Sequence, residues 1–361
     1  MFVALRDLRF ARGRFALISS VIVLITILVG FLSGLAGGLA WQNVSGILAL
    51  PFDKMVLAAS DNGAATDFSS SSITQKQADT WAEAEGVTSA TPVGITTSRA
   101  ESESGEAAIT IVGYGASPNQ ELSPEATVAD IPRSIVLSTG AADALDAQIG
   151  DTVTIAGFKL LVSAVGDDWW YSHTPVAYTS LADWQDIAAT QREGTIFATG
   201  VAVTGSPQWD QVASNTHTTA KGQLASLTAI PAFASEVGSL GMMIAMLFSI
   251  SALVIGAFFT VWTIQRSGDI AILKALGAAT RTLMKDALGQ AGVVLATGVA
   301  VGVAAVIGVG AIVPAALPFL VSPLTTALPA ALLVILGLAG AAVGVRSVTS
   351  VNPLSALGGA R

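Results

Sequence analysis

The sequence predicts an α+β membrane protein with four transmembrane helices, arranged one plus three, and a large extracellular α/β insert between helices 1 and 2. Two observations support this fold class. The 361 residues are 52% hydrophobic and 12% charged, with a mean hydropathy of +0.67, whereas soluble domains average about 25% charged residues. The charge is also uneven, because residues 41–236 contain 22 of the 25 acids. No segment offers the basic face that nucleic-acid binding requires.

Long stretches without charge identify the membrane-spanning segments, each of which needs about 20 apolar residues. We expect transmembrane helices at 16–40, 232–265, 287–312 and 329–346, with the second extended outward. Four prolines divide the last apolar run and predict a short extracellular loop at 313–328. The first run is too long for the apolar region of a signal peptide and follows four arginines, so we interpret it as an anchor.

The distribution of positive charge predicts the orientation. Ten bases and three acids, a net charge of +7, lie in three segments. These segments are an amphipathic N-terminal helix at 1–15, a loop at 266–286, and a tail at 347–361 with the adjacent Arg346. The rest of the chain has seven bases and 22 acids, a net charge of −15. Basic segments stay in the cytoplasm. We therefore expect a multi-pass protein of the cell membrane with both termini inside and the insert outside.

The insert at 41–231 is expected to fold as an α+β domain. Strands are predicted at 108–113 and 134–137, and a hairpin is predicted around Ala156-Gly157, with strands at 153–155 and 159–162. The chain has no cysteine, and a domain of this length can bury a sufficient core without disulfides. The Trp169-Trp170-Tyr171 cluster favours core or turn packing over a membrane-facing rim.

Residue patterns typical of catalysis are missing. There is no Walker A motif to hold nucleotide phosphates, and the only two histidines, His173 and His217, lie in polar stretches and are interpreted as solvated surface residues. The serines have no nearby base to activate them. We therefore expect a chain that is not an enzyme and has no intrinsic cofactor.

A family resemblance comes from residues 265–279, QRSGDIAILKALGAA. They resemble the signature of FtsX-like, MacB-like permeases of ABC transporters, R-x-x-E-[IF]-[AG]-[ILV]-x-[KR]-A-x-G-A, with Asp269 in place of the usual glutamate. Residues 4–9 resemble the start of these permeases. Residues 142–155 are similar to their outer-domain L-G-x-x-x-G-D-x-V-x-[IL] stretch, and 352–357 to their D-P-x-x-A-L tail. These matches occur in order along nearly the whole chain, which implies a MacB-like (type VII) ABC permease.

The resemblance implies a machine of two permease copies and two cytoplasmic ATPase subunits, which bind ATP and Mg and drive the outer domain by mechanotransmission. The loop at 266–286 would then dock into a cleft of the ATPase, and Gly277 suits the C-terminus of its short helix. A short amphipathic helix is equally consistent with a position on the bilayer surface. The predicted ATPase-coupling residues are Arg266, Asp269, Ile270, Ile272, Leu273, Lys274, Leu276 and Gly277.

A candidate substrate site lies at the start of helix 2. Glu236 is the one carboxylate that abuts a transmembrane run, and Met242, Met243 and Met246 follow it. A thioether is a soft ligand that binds haem iron axially. However, methionines also fill gaps, and a glutamate also suits the start of a helix.

The overall plan resembles the haem-exporter (HrtB-type) permeases of Gram-positive bacteria, which predicts haem as the substrate and Glu236 or Met243 as the iron ligand. Seven residues span about 10 Å of helix, so both cannot ligate one iron from the same helix. No other metal is expected.

We predict a lateral pocket between helices 1 and 2, near the outer leaflet, where Gly34, Gly37 and Gly38 permit close approach. Simple helix packing explains these glycines equally well. Other functions also remain open. They are an FtsX-type mechanotransmitter that regulates an extracellular cell-wall hydrolase, an exporter of lipoproteins, peptides or drugs, and an adhesin or sensor without an ATPase.

Overall fold

The computed structural model describes residues 12–60, 67–115, 131–191, 196–265, 268, 272, 276–277, 279–312 and 317–349. The chain divides into two compact units. We call Leu39–Val237 the insert unit, and we call the remainder, Met1–Gly38 with Gly238–Arg361, the membrane unit.

The described residues form helices and strands that we number in chain order. The helices are α1 (Arg12–Leu48), α2 (Gln75–Ala82), α3 (Thr139–Leu145), α4 (Leu181–Ala189), α5 (Trp209–Thr216), α6 (Gln223–Leu227), α7 (Pro231–Gln265), α8 (Thr280–Gly310) and α9 (Pro323–Thr349). The strands are β1 (Lys54–Ala58), β2 (Val87–Glu101), β3 (Glu106–Tyr114), β4 (Ser134–Ser138), β5 (Thr152–Ile155), β6 (Phe158–Gly166), β7 (Trp170–Tyr171), β8 (Thr174–Ser180), β9 (Gly200–Gly205) and β10 (Thr218–Gly222).

Four helices in the described part of the chain, α1, α7, α8 and α9, are long and apolar enough to cross a membrane. The α/β insert lies between the first and second of them, so the predicted fold class is confirmed. In the membrane unit the helices pack through small residues. Gly256 of α7 lies against Gly340 of α9, and a Cβ on either would be within 3.4 Å of the other's backbone. Close approach of this kind is common between membrane helices.

Three of the helix ends differ clearly from the sequence-based expectation. Helix α8 starts at Thr280, inside the predicted loop at 266–286, and not at residue 287. Helix α1 does not end at residue 40 but continues to Leu48, because residues such as Val44 and Ile47 are buried in the core of the insert unit. Helix α9 starts at Pro323, inside the predicted loop at 313–328. Proline is well suited to a first helical turn, where its missing N–H is not needed, and the backbone N–H of Thr325 is capped by the Ser322 hydroxyl at 3.3 Å.

The insert unit is built on a ten-stranded sheet with the order β10-β1-β9-β2-β3-β8-β4-β6-β5, and β7 pairs with β8. The last strand also pairs with β2 at Ala100–Ile155 and Glu101–Thr154, which closes six strands into a ring. The predicted hairpin is confirmed as β5–β6. Both of its turn residues, Ala156 (φ 50°) and Gly157 (φ 87°), have the positive φ that a two-residue type I′ turn requires.

Alternate residues of the strands enter cores on opposite faces of this sheet, as the pleat dictates. On β1, Met55 and Leu57 belong to one core, whereas Val56 belongs to another that is covered by α2 and α5. The first core is covered by the end of α1, by α6 and by the start of α7, through residues such as Ile47, Leu227 and Phe233. Trp169 and Tyr171 are buried in this first core, so this pair of the aromatic cluster is core packing.

Candidate functional site

The carboxylate of Glu236 is held by two side chains of the insert unit. Asn43 Nδ2 donates a hydrogen bond of 2.8 Å to Glu236 Oε2. His173 Nε2 lies 2.6 Å from Glu236 Oε1, within ion-pair distance. The three residues come from the last turns of α1, from the β7–β8 hairpin and from the first turns of α7. Both carboxylate oxygens are therefore engaged by groups that are distant in sequence.

Asn43 is positioned by the helix that carries it. Its side chain is completely buried, and its Nδ2 also donates to the carbonyl oxygen of Leu39, one turn earlier, at 3.0 Å. Both amide hydrogens of Asn43 are thus used, one for Leu39 and one for Glu236. The other amide atom, Oδ1, is buried and has no hydrogen-bond partner among the described residues.

His173 is positioned by a tight turn. Ser172 (φ 49°) and His173 (φ 65°) form the two-residue connection between β7 and β8, with left-handed backbone at both positions. Their backbone N–H groups donate to the carbonyl oxygens of Asn43, at 3.2 Å, and Gln42, at 3.0 Å. The hydroxyl of Ser45 accepts from the backbone N–H of Trp170 at 2.8 Å. Backbone bonds from α1 therefore hold the hairpin that presents the imidazole.

The interpretation of His173 as a solvated surface residue is wrong. Its side chain is 33% exposed and contacts Glu236, which is 32% exposed. The contact with Glu236 could not be predicted from sequence, because a Ser-His pair is not typical of a type I′ turn and the partner lies 63 residues away. His217, in contrast, is exposed at the C-terminal cap of α5.

The donor and acceptor inventory sets the hydrogen positions of the cluster. An ionised carboxylate only accepts hydrogen bonds, so the short contact requires a hydrogen on His173 Nε2 whenever Glu236 is ionised. Because Asn43 has no third amide hydrogen, its 3.1 Å approach to His173 Nε2 is a packing contact. The carboxylate is thus oriented by an imidazole on one oxygen and an amide on the other, and about a third of it remains reachable.

The three methionines of the predicted haem site lie on α7 in the membrane unit and are exposed. The exposed fractions are 68% for Met242, 49% for Met243 and 59% for Met246. They are neighbours of further exposed apolar side chains on the same helix, such as Ile250 and Leu253. Residues 242–253 of α7 therefore form an apolar surface that includes three flexible thioethers.

The three predicted pocket glycines pack against the connection between α8 and α9. A Cβ on Gly34 would lie 2.6 Å from the ring of Phe319, and one on Gly37 would lie 2.5 Å from the methyl group of Thr325. A Cβ on Gly38 would collide with the backbone carbonyl of Pro318. The backbone N–H of Leu320 also donates to the carbonyl oxygen of Gly34 at 3.0 Å. The space beside these glycines is filled here, and their role in haem binding stays a prediction.

Only part of the predicted coupling segment belongs to the described residues. Ile272 and Leu276 are 60% and 80% exposed, and the N–H of Leu276 donates to the carbonyl oxygen of Ile272 at 3.0 Å, as in a helical turn. Gly277 follows with a φ of 95°, the left-handed conformation of a helix C-terminus. Arg266, Asp269, Ile270, Leu273 and Lys274 lie outside the described residues, as do 1–11 and 350–361.

Comparison with known proteins finds a family match over part of the chain and similar proteins over its full length. Residues 241–353 match the FtsX-like permease C-terminal family. The chain is 27% identical over 369 residues to a protein of Staphylococcus haemolyticus named as the hemin transport system permease protein HrtB, and the match covers 99% of each chain. It is 25% identical over 368 residues to an uncharacterised ABC transporter permease of Mycobacterium tuberculosis, again covering 99% of both.

Among solved structures, the periplasmic region of MacB from Actinobacillus actinomycetemcomitans is similar with a TM-score of 0.34 and 12% identity. This match covers 50% of the present chain and 93% of that one.

Proposed function

We propose that this chain is an FtsX-like permease subunit of an ABC transporter and that haem is its cargo. The observation that carries the proposal is the position of Glu236, a partly exposed carboxylate on α7, six residues before the first of three exposed methionines. The full-length similarity to a permease named for hemin transport supports the same cargo.

Haem requires an apolar surface for its macrocycle and one or two ligands for its iron. A carboxylate oxygen of Glu236 would supply one iron ligand, and exposed apolar side chains of α7 would contact the macrocycle. A methionine thioether is the predicted second ligand. Because Glu236 and Met243 are about 10 Å apart along one helix, that thioether would come from a second copy of the chain, or a single ligand would suffice.

Transport would be driven from the cytoplasm by two ATPase subunits bound to two copies of this chain, with ATP and Mg held by the ATPases. The exposed apolar pair Ile272 and Leu276 suits the docking of each ATPase. The excess of bases in 1–15, 266–286 and the tail supports cytoplasmic termini and an extracellular insert unit. Movement of the ATPases would then reach the insert unit through the membrane helices.

The proposal is tested by hemin binding to the purified full-length chain in lipid nanodiscs. We expect Glu236→Gln to raise the Kd for hemin by about tenfold, which corresponds to about 1.4 kcal/mol, and to shift the Soret band. Binding of iron-free protoporphyrin should not change, because it has no iron for the carboxylate. Glu85→Gln, which alters an exposed carboxylate of the insert unit, is the matched control.

A second measurement addresses the cargo of the whole complex. ATP hydrolysis by the chain reconstituted with its ATPase should rise on addition of hemin and should not respond to lipopeptides or peptides. If Glu236→Gln binds hemin like the unchanged chain, and hydrolysis responds to a peptide instead, the haem proposal is wrong and another exporter function replaces it.

A further inference from the structure

Two features near Glu236 are unfavourable for the stability of the fold, and both involve residues that contact its carboxylate. The first is the left-handed backbone of Ser172 and His173. Type I′ turns favour Asn-Gly at these two positions, because glycine adopts positive φ without a steric penalty. A histidine at the second position carries backbone strain, which is typically retained where the side chain has a task.

The second unfavourable feature is the buried amide of Asn43. Its side chain is completely buried, and its Oδ1 has no hydrogen-bond partner among the described residues. A leucine, with the same branching and number of heavy atoms, would occupy this position without burying an unpaired acceptor. The amide is therefore a poor choice for core packing, but it supplies the donor that Glu236 Oε2 accepts.

A glutamate side chain rotates about three bonds and samples many orientations when it is free. Here the two oxygens of Glu236 are bonded separately, Oε1 to His173 and Oε2 to Asn43. Groups that hydrogen-bond a metal-ligating carboxylate fix its orientation and tune its affinity. With about a third of the side chain exposed, the carboxylate is both fixed and accessible.

We propose that His173 and Asn43 are positioning residues that hold the Glu236 carboxylate in the orientation in which it binds substrate iron. This inference rests on the proposed haem function. The imidazole and the amide act through Glu236 and do not themselves contact iron. The strain in the β7–β8 turn and the buried amide are then explained as requirements of one binding group.

The most informative variant removes the imidazole and also replaces both turn residues by the pair that a type I′ turn favours. Ser172→Asn with His173→Gly creates the favoured Asn-Gly turn, so the thermal unfolding temperature of the full chain should stay constant or rise. The same double variant should raise the Kd for hemin by about tenfold, or about 1.4 kcal/mol, and should shift the Soret band at saturating hemin. Ser172→Asn alone is the matched control and should bind hemin as the unchanged chain does.

Two single variants complete the test. Asn43→Leu keeps the branching and the number of heavy atoms of the buried side chain, removes the amide donor, and should also weaken hemin binding several-fold. His173→Gln places an amide donor at a distance similar to that of the imidazole Nε2 and should restore most of the affinity. If His173→Gln binds hemin as weakly as the glycine variant, an amide donor does not replace the imidazole and the positioning role of His173 is wrong.

The outcomes separate this inference from the proposed function. If Glu236→Gln leaves hemin binding intact, the proposed function fails, and the positioning role fails with it. If Glu236→Gln weakens binding while both the Asn-Gly variant and Asn43→Leu retain full affinity and an unchanged Soret band, only the positioning role is overturned.

Discussion

The phenolic hydroxyl of Tyr178 donates a hydrogen bond of 2.7 Å to the carbonyl oxygen of Gly46, 132 residues earlier in the chain. This bond joins β8 to the last turn of α1 inside the first core of the insert unit. The ring of Trp169 packs edge-on against Tyr178, with 5.0 Å between the ring centroids. Burial raises the pKa of Tyr178 above its usual value, and burial also raises the pKa of Tyr114 and of Tyr171.

Alkaline pH should therefore destabilise the insert unit. Because the pKa of each of the three tyrosines is raised by folding, their contribution to stability is complete below an unfolded pKa of about 10. It is lost progressively as pH rises from there towards the folded values. We expect no tyrosinate absorbance in the folded chain near pH 10, whereas the urea-unfolded chain should titrate normally. Tyrosinate appearing near pH 10 with unchanged circular dichroism would contradict this.

Gly94 and Gly113 face each other on β2 and β3 and leave room for Trp184 of α4. A Cβ on either glycine would overlap the tryptophan side chain, so Gly94→Ala and Gly113→Ala should each destabilise the insert unit by about 1–3 kcal/mol. Gly222→Ala, at a site with no atom within 4 Å, is the control and should change stability little. Chemical unfolding of the full chain followed by tryptophan fluorescence measures the difference, and equal effects at all three sites would refute it.

Gly38→Ala should destabilise the membrane unit, because the new methyl group would collide with the backbone carbonyl of Pro318. The helix propensity of alanine alone favours the substitution by about 1 kcal/mol, so the sign of the effect reports the close contact. Gly308→Ala on α8, with nothing within 4 Å of the added Cβ, should be neutral or stabilising. Thermal unfolding in detergent compares the two. A gain in stability for Gly38→Ala would show that the α8–α9 connection does not pack there.

The exposed apolar residues Ile272 and Leu276 of the predicted coupling segment should be needed for binding of the ATPase subunit. Ile272→Ser with Leu276→Ser removes the apolar surface that would be buried in the partner, so co-purification of the ATPase subunit should fall at least tenfold. Hemin binding by the isolated chain should not change. Ala279→Ser, at another exposed position, is the control. Retention of the ATPase by the double variant would favour the bilayer surface as the binding place of this segment.

The membrane helices and four of the ten strands, β3 to β6, were predictable from sequence because their signals are local. Runs without charge mark the spans, and the Ala156-Gly157 turn marks the β5–β6 hairpin. The end of α1 was not predictable, because polar and small residues such as Asn43, Ser45 and Gly46 resemble a helix end. These residues are buried in the structure, since they contact the hairpin and strands encoded more than a hundred residues later.

The candidate site was predictable only in part, because a local pattern identifies Glu236 but not the distant residues that contact it. Glu236 was identified from its place at the border of an apolar run, which is a local property. Its partners His173 and Asn43 lie 63 and 193 residues away, and only the folded sheet brings them together. The small residues Gly34, Gly37 and Gly38 indicated a close approach, but the sequence could not show that Pro318, Phe319 and Thr325 make it.

The hydrogen bond between Asn43 and Glu236 means that the insert unit begins and ends at almost the same point in space. The chain leaves α1 and rejoins α7 at neighbouring positions, although 193 residues of sequence separate them. Loops elsewhere in the unit can therefore lengthen or shorten without changing the spacing of its two ends. Because the two ends of the unit lie together, we expect it to be exchangeable between related proteins as one piece, provided that the graft retains residues 39–48 and 231–237.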